Sequence, residues 1–567
     1  MIFPRKDKNK NRKIPEEKKM RVLKVNKENT KNILSDLLKR SPNNYDQYAG
    51  TVQGILDKIK EKGDEALFAY TEKFDKCKLT KDTIQVTEEE IKAAYEKVDD
   101  SLVEVIRKSL VNIREYHEKQ KRNSWFDAKP DGTILGQKMT ALASVGVYVP
   151  GGKAAYPSSV LMNIVPAKVA GVEKIVMVTP PNKEGEVTPA TLVAANEAGA
   201  THIYKVGGAQ AIGALAYGTE SIEKVDKIVG PGNIYVALAK KAVYGHVSID
   251  SIAGPSEILV LADDTANPHF VAADLLSQAE HDELASAILV TTSKTLGEKV
   301  QEEIEGYLKK LSRAEIIEKS LENFGYILEA ETLDEALEVV NAIASEHLEI
   351  VTANPFEVMT KVRNAGAIFI GEYSSEPLGD YFAGPNHVLP TNGTAKFFSP
   401  LNVDDFVKKS SIIYYSKDAL KAIHKDIETF AQMYYEEATA EGVRPEVAFA
   451  QAMKETGWLQ YGGDMQITQY NFAGIGTTGG GVPGNSYPDV RTGIRAQIQH
   501  LKAYATDEPL NQTCVDNRYE YVKKASAPYV QWLGQKENQE GAGWATGENY
   551  GYDIAGMLQH LLLKEQG

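Results

Sequence analysis

Along the early part of the chain, apolar positions recur every three or four residues. In "VQGILDKIKEKGDEALFAY" (52–70) the apolar Val52, Ile55, Leu56 and Ile59 fall at i, i+3, i+4 and i+7, the spacing that lines one face of a helix. Helices are expected over about 27–125 on this pattern. From "SVGVYVPGG" (144–152) the texture changes: short β-branched runs ("GVYVP", "KIVMVTP", "HIYKV", "EILVLA", "AILVTT") alternate with Ala-rich helical segments. That alternation predicts an α/β region with mostly parallel sheets. A second change follows residue 416. "SKDALKAIHKDIETFAQMYYEEATAEG" (416–442) predicts one long helix or two in succession, and the Gly-, Tyr- and Gln-rich remainder shows no strand–helix alternation. The parse is a basic, solvated tail over 1–24, an α/β region over 25–430 and a mainly helical domain over 431–567, joined between about 425 and 440.

A length of 567 residues is too great for one core and agrees with at least two domains. Hydrophobic content of 43% and charged content of 25% are those of a soluble globular chain. The net charge of −14 argues against a general nucleic-acid binder. Cys77 and Cys514 make no disulfide framework, which fits a reducing compartment. No apolar run reaches the roughly 18 residues of a membrane span. The first 24 residues are basic without the apolar stretch of a secretory signal, leaving a solvated tail or a polyanion-binding arm.

Candidate chemistry begins with "LLSQAEHDEL" (275–284), where Gln278 precedes His281 by just under one helical turn. An amide oxygen and an imidazole on one face could hold a metal or a polar substrate. Turn-rich polar clusters flank the expected strands: "YVPGG" (148–152), "GGAQAIG" (207–213), "GPGN" (230–233), "AGPSE" (253–257), "SEHL" (345–348) and "PLGDYFAGPNHVLP" (377–390). Singly, each reads as turn punctuation, and the dinucleotide fingerprint G-x-G-x-x-G is absent from its usual setting.

In this order the clusters resemble histidinol dehydrogenase, from about Met20 to about Ala431. The resemblance implies Rossmann-like sheets, a cytoplasmic homodimer, zinc and NAD as cofactors, and L-histidinol as substrate, oxidised twice to L-histidine. It also implies roles for individual residues. Zinc falls to Gln278, His281 and Asp380, which also meet the substrate. Glu346 and His347 are the catalytic pair: His347 takes the hydroxyl proton and touches substrate, and Glu346 activates the water that attacks the aldehyde. Two roles from adjacent residues require a turn or helix end at "SEHLE". Ser256 and His387 match substrate contacts, while Tyr148, Gln210 and Asn233 match contacts to NAD. The family's C-terminal segment supplies a substrate-binding Glu and a zinc-binding His to the partner subunit. Laying "EGVRPE" on it places Glu441 on that Glu and Glu446 where the His stands, after about seven extra residues, or two helical turns. His424 comes too early in the chain to serve.

The last domain resembles the glucosaminidase branch of lysozyme-like peptidoglycan hydrolases, in "AFAQAMKETGW" (448–458), "NFAGIGTTGGG" (471–481) and "YPDVRTGIRAQIQHLKAYA" (487–505). The resemblance makes Glu455 the general acid, its proton retained by an apolar setting to which Trp458 could contribute. Asp464 and Asp489 are candidates for a second carboxylate on loop position. Tyr461, Tyr470, Phe472 and Tyr487 could form a sugar-stacking groove or a small core. Three readings stand side by side: a dehydrogenase with an appended hydrolase acting on peptidoglycan or another glycan, a hydrolase carrying an inactive dehydrogenase scaffold, and a C-terminal module that only binds glycan or supports the dimer.

Overall fold

The computed structural model describes residues 20–40, 46–151, 157–461, 463–477 and 481–564, with backbone alone at 46, 422–425 and 561–564. The early apolar periodicity becomes five helices, Lys27–Leu38, Asp46–Lys62, Asp64–Asp75, Glu88–Lys97 and Asp100–Glu118. The second and third are separated at Gly63, whose φ of +50° suits glycine and where an added Cβ would collide with the Glu220 carboxylate. The fourth starts in a capping box: the Glu90 N–H donates to Thr87 Oγ1 at 3.2 Å, and the Thr87 N–H to Glu90 Oε2 at 2.8 Å.

The strands are β1 (Arg21–Lys24), β2 (Trp125–Ala128), β3 (Ile134–Ala141), β4 (Ser144–Tyr148), β5 (Lys174–Thr179), β6 (His202–Lys205) and β7 (Lys227–Val229). There follow β8 (Ser248–Ile249), β9 (Glu257–Ala262), β10 (Ser286–Thr291), β11 (Gly325–Glu329), β12 (His347–Val351), β13 (Ala367–Ile370) and β14 (Val407–Tyr414). One parallel sheet runs β6-β5-β4-β7-β8 and a second β1-β11-β10-β9-β12-β13; a small sheet runs β14-β3-β2. Counted along the chain, both larger sheets repeat the doubly wound order 3-2-1-4-5, the second with β1 added at its edge. Every residue of β9 and β10 is buried. Strands covered on both faces lose the polar alternation of a half-exposed strand, which is why they appear in sequence as unbroken β-branched runs.

One expectation is corrected, and one expected boundary is spanned by a helix. Arg21–Lys24, assigned to the solvated tail, pair with Tyr326–Glu329 as the edge strand β1; the rest of the expected tail, 1–19, lies outside the described residues. The domain boundary at 431 falls inside one uninterrupted helix, Lys417–Glu441. The chain divides instead into one compact unit of residues up to Trp125 with Gln137–Ser411, and another of Phe126–Gly136 with Ile412 onward.

The second unit is built from helices Lys417–Glu441, Pro445–Glu455, Val490–Ala505 and Tyr550–Lys564 with long loops. Its core gathers Tyr434, Ala448, Phe472, Ile494 and Leu533. A buried polar chain crosses it: the Tyr434 O–H donates to Gln497 Oε1 at 2.6 Å, and Gln497 Nε2 donates to Gln451 Oε1 at 2.9 Å. Among the described residues no helix is long and apolar enough to cross a membrane, and both cysteines are free.

Candidate active site

Parallel strands leave unpaired N–H groups at their amino ends, and two carboxylates satisfy them here. The register sets His347 of β12 beside Ile258 of β9, so Glu346 and Glu257 lie adjacent. The Glu257 N–H donates to Glu346 Oε2 at 2.9 Å, and the Glu346 N–H to Glu257 Oε2 at 3.4 Å. The preceding helix Leu333–Ile343 ends at Ala344 with a left-handed φ of 55°, supplying the turn that lets Glu346 and His347 diverge. Glu257 is held from behind by Arg40, 1% exposed, whose Nη2 lies 2.6 Å from Glu257 Oε1.

His347 is buried between acceptors. Nδ1 is 2.9 Å from the Glu257 carbonyl, and Nε2 is 3.1 Å from Asp380 Oδ1. Burial opposes a charge on the ring, but Asp380 and Glu346 outweigh it and raise its pKa to about 10. Burial pushes Glu346 up to about 8. Asp380 lies in the tight turn Gly379–Ala383, with Oδ2 3.9 Å from His387 Nδ1. Glu376, four residues before it, accepts from Ser277 Oγ at 2.6 Å and is lifted to about 8 by burial. Donor atoms of His347, Glu376 and Asp380 all lie within 4.8 Å of one another.

His281 faces the same cluster, and Gln278 precedes it on the adjoining helix. The helix Pro268–Ala279 holds Gln278 but stops before His281, which turns back so that its N–H donates to the Gln278 carbonyl at 3.0 Å. His281 Nδ1 lies 3.4 Å from Ser256 Oγ. The surrounding protein pulls the His281 pKa down to about 4, against the attraction of Asp380, although the residue keeps an exposed edge. Gln278 is 1% exposed, yet neither its amide oxygen nor its nitrogen has a partner. Buried amides are normally satisfied. An orphaned amide beside desolvated carboxylates and imidazoles fits a cation that takes oxygen and nitrogen donors.

Tyr148, Gln210 and Asn233 come together elsewhere, at the carboxyl ends of the first sheet, in a cleft of about 1080 Å³. It opens beside β4 and β7, the point where the strand order reverses. The Gly208 N–H donates to the buried Tyr148 hydroxyl at 3.1 Å. Gly230 has φ +111° and packs so closely on the Tyr148 carbonyl that an added Cβ would overlap it. Asn233 also supports the fold directly, because its side-chain oxygen caps the helix Ile234–Val243, accepting from the Tyr235 and Val236 N–H groups at 3.0 and 3.2 Å.

Glu441 belongs to the second unit. It is wholly buried within the second unit, where Lys502 Nζ at 3.3 Å and the N–H groups of Asn511 and Gln512 at 2.9 and 2.8 Å saturate its carboxylate. This internal role engages the carboxylate that the resemblance assigns to substrate. Glu446 pairs with Arg444, and the His424 side chain lies outside the described residues.

In the second unit, Glu455 ends the helix Pro445–Glu455 and accepts the Tyr550 O–H. Burial raises its pKa, with the Tyr550 hydrogen bond working the other way. Trp458 does not enclose it: φ is +60° and the residue is 65% exposed. Asp489 caps the helix Val490–Ala505 through the Thr492 N–H at 2.9 Å. Phe472 and Tyr487 are core residues, and Tyr461 and Tyr470 pack against the core.

Arg40, Glu257, Ser277 and Glu376 are participants that the sequence leaves unassigned. Glu257 stands inside "AGPSE", but its partner Arg40 is 217 residues away, a separation no local pattern reveals.

A doubly wound α/β unit with a desolvated histidine–carboxylate cluster and a separate switch-point cleft is the framework of an enzyme for a small polar substrate. Comparison with known proteins narrows the class. The histidinol dehydrogenase family model matches residues 38–445, and that of mannosyl-glycoprotein endo-beta-N-acetylglucosaminidase matches 431–563. Histidinol dehydrogenase of Halalkalibacterium halodurans is 59% identical over 398 residues, 70% of this chain and 93% of the relative. That of Clostridium acetobutylicum is 60% identical over 382 residues, 67% of this chain and 88% of the relative. The crystal structure of histidinol dehydrogenase from Elizabethkingia anophelis superposes with a TM-score of 0.68 at 38% identity, covering 73% of this chain and 94% of that one. The chain belongs to the histidinol dehydrogenase family, with a glucosaminidase domain at its C-terminal side.

Proposed function

We propose that the larger unit oxidises L-histidinol through L-histidinal to L-histidine, with NAD and zinc. The supporting observation is His347 held against Asp380 and beside Glu346, with a buried amide at Gln278, three residues before His281, that has no partner among the described residues. Gln278, His281 and Asp380 would hold the zinc, a Lewis acid that orients and polarises the substrate. His347 removes the hydroxyl proton. Burial favours its neutral, basic form, and the Asp380 and Glu346 carboxylates oppose it. Glu346, protonated into the neutral range, activates water for the aldehyde once it gives up that proton. Ser256 and His387 contact the substrate. Tyr148, Gln210 and Asn233 would meet NAD, the hydride acceptor. The ten-residue helices Pro189–Ala198 and Gly208–Tyr217 begin in that cleft without side-chain caps, leaving N–H groups for a pyrophosphate. A cytoplasmic homodimer is the assembly expected from the family. Full-length protein loaded with zinc should form NADH on addition of L-histidinol; a chelator should stop this and added zinc restore it. Folded, zinc-loaded protein without turnover would overturn the proposal.

A second activity is supported by Glu455. Its raised pKa suits a general acid that cleaves a glycosidic bond in peptidoglycan or a related N-acetylglucosamine polymer. Glu455→Gln should abolish release of reducing ends; a glycan that is bound but never cut by the wild type would leave a binding module. Tyr550 donates to Glu455 and so favours its ionised form. Tyr550→Phe should therefore raise the acid's pKa and move the alkaline limb of the cleavage profile to higher pH.

A further inference from the structure

In the cleft proposed for NAD, one charged side chain has no structural reason to be there. Asp75 is the last residue of the helix Asp64–Asp75, followed by Lys76 in the left-handed region at φ 59°. A carboxylate at a helix C-terminus faces the negative end of the helix dipole. Asp75 forms no hydrogen bond or ion pair with any described residue, and its Oδ2 is buried without a partner. Burial alone pushes its pKa up to about 6. Each feature costs stability, and none is offset among the described residues.

The carboxylate lines the cleft together with Tyr148, Gln210 and Asn233. Its charge reaches Tyr148, whose hydroxyl is raised to about 12 by burial, with Asp75 adding to the rise. The other charged groups on the described lining are Glu184, Glu186 and Lys183; no arginine is among them. An unpaired acceptor in an acidic cleft suits vicinal hydroxyl donors and repels a phosphate. In doubly wound folds a carboxylate commonly accepts from the adenosine ribose, whereas an arginine accommodates a 2′-phosphate.

We propose that Asp75 selects NAD over NADP by accepting hydrogen bonds from the adenosine ribose hydroxyls and repelling a 2′-phosphate. The proposal rests on the reading of this cleft as the NAD site, and the test separates the two. Full-length wild type and Asp75→Asn are titrated calorimetrically with NAD and with NADP, and their melting temperatures are recorded without nucleotide. Asp75→Asn should reduce the NAD-to-NADP affinity ratio by about tenfold or more. It should also raise the nucleotide-free melting temperature, because an unpaired buried carboxylate has been removed. An unchanged ratio overturns the role of Asp75. A lower melting temperature makes the carboxylate a structural support and overturns it as well. Wild type that binds neither dinucleotide overturns the reading of the cleft itself. Should Asp75→Asn not fold, Asp75→Ser carries the same expectations.

Discussion

Arg40→Ala is expected to destabilise the larger unit by about 3–5 kcal/mol, the cost of stranding a buried charge. Arg40 donates to Glu257 at 2.6 Å, to the Leu284 carbonyl at 2.9 Å and to the Leu37 carbonyl at 3.3 Å. Without the guanidinium, Glu257 keeps its place beside Glu346 with no cation, and two carbonyls lose their donor. The effect is large because the alternative partner, water, is excluded. Denaturant unfolding followed by circular dichroism should show an early transition for this unit. Arg40→Met combined with Glu257→Gln, which removes both charges and keeps an acceptor for the Glu346 and Asn392 N–H groups, should recover part of the loss. A loss below about 1 kcal/mol in the single variant would mean that the pair is no stronger than a surface salt bridge.

His347→Ala is expected to lower histidinol-dependent turnover by about 10²- to 10⁴-fold, the usual share of a positioned acid–base group. Zinc content should be unchanged, because His347 is assigned to proton transfer and not to the metal. Donor atoms of His347, Glu376 and Asp380 are nevertheless close enough to bind a cation together. Metal analysis of the purified variant separates the alternatives: loss of turnover with full zinc supports the base, whereas loss of zinc makes His347 a ligand.

Much of this site is legible in the sequence, and the remainder is hidden for a definite reason. "SQAEH", "SEHL" and "LGDYFAGPNH" each keep their participants close together, so a motif can carry them. The β-branched runs announce buried strands because both faces are covered. What the motifs do not reveal is the packing between them. Rossmann-type folds place ligands at the carboxyl ends of strands, as the cleft at Tyr148 does, but Glu346 and His347 stand at the amino ends of the second sheet. Arg40 comes from the helical N-terminal region, and Glu376 owes its place to Ser277, 99 residues away. Asn233 and Asp489 each have a second job that a motif does not announce, since each side-chain oxygen caps a helix.

The two family matches overlap over 431–445, and most of that overlap lies in the helix Lys417–Glu441. A helix advances by about 100° per residue, so inserting a single residue there would swing every later side chain a quarter-turn or more out of phase. An insertion between Tyr434 and Glu441 would leave either Tyr434 without Gln497 or Glu441 without Lys502. About seven residues, close to two whole turns, would restore the helical phase. The helix can therefore change length without loss only in steps near a whole number of turns.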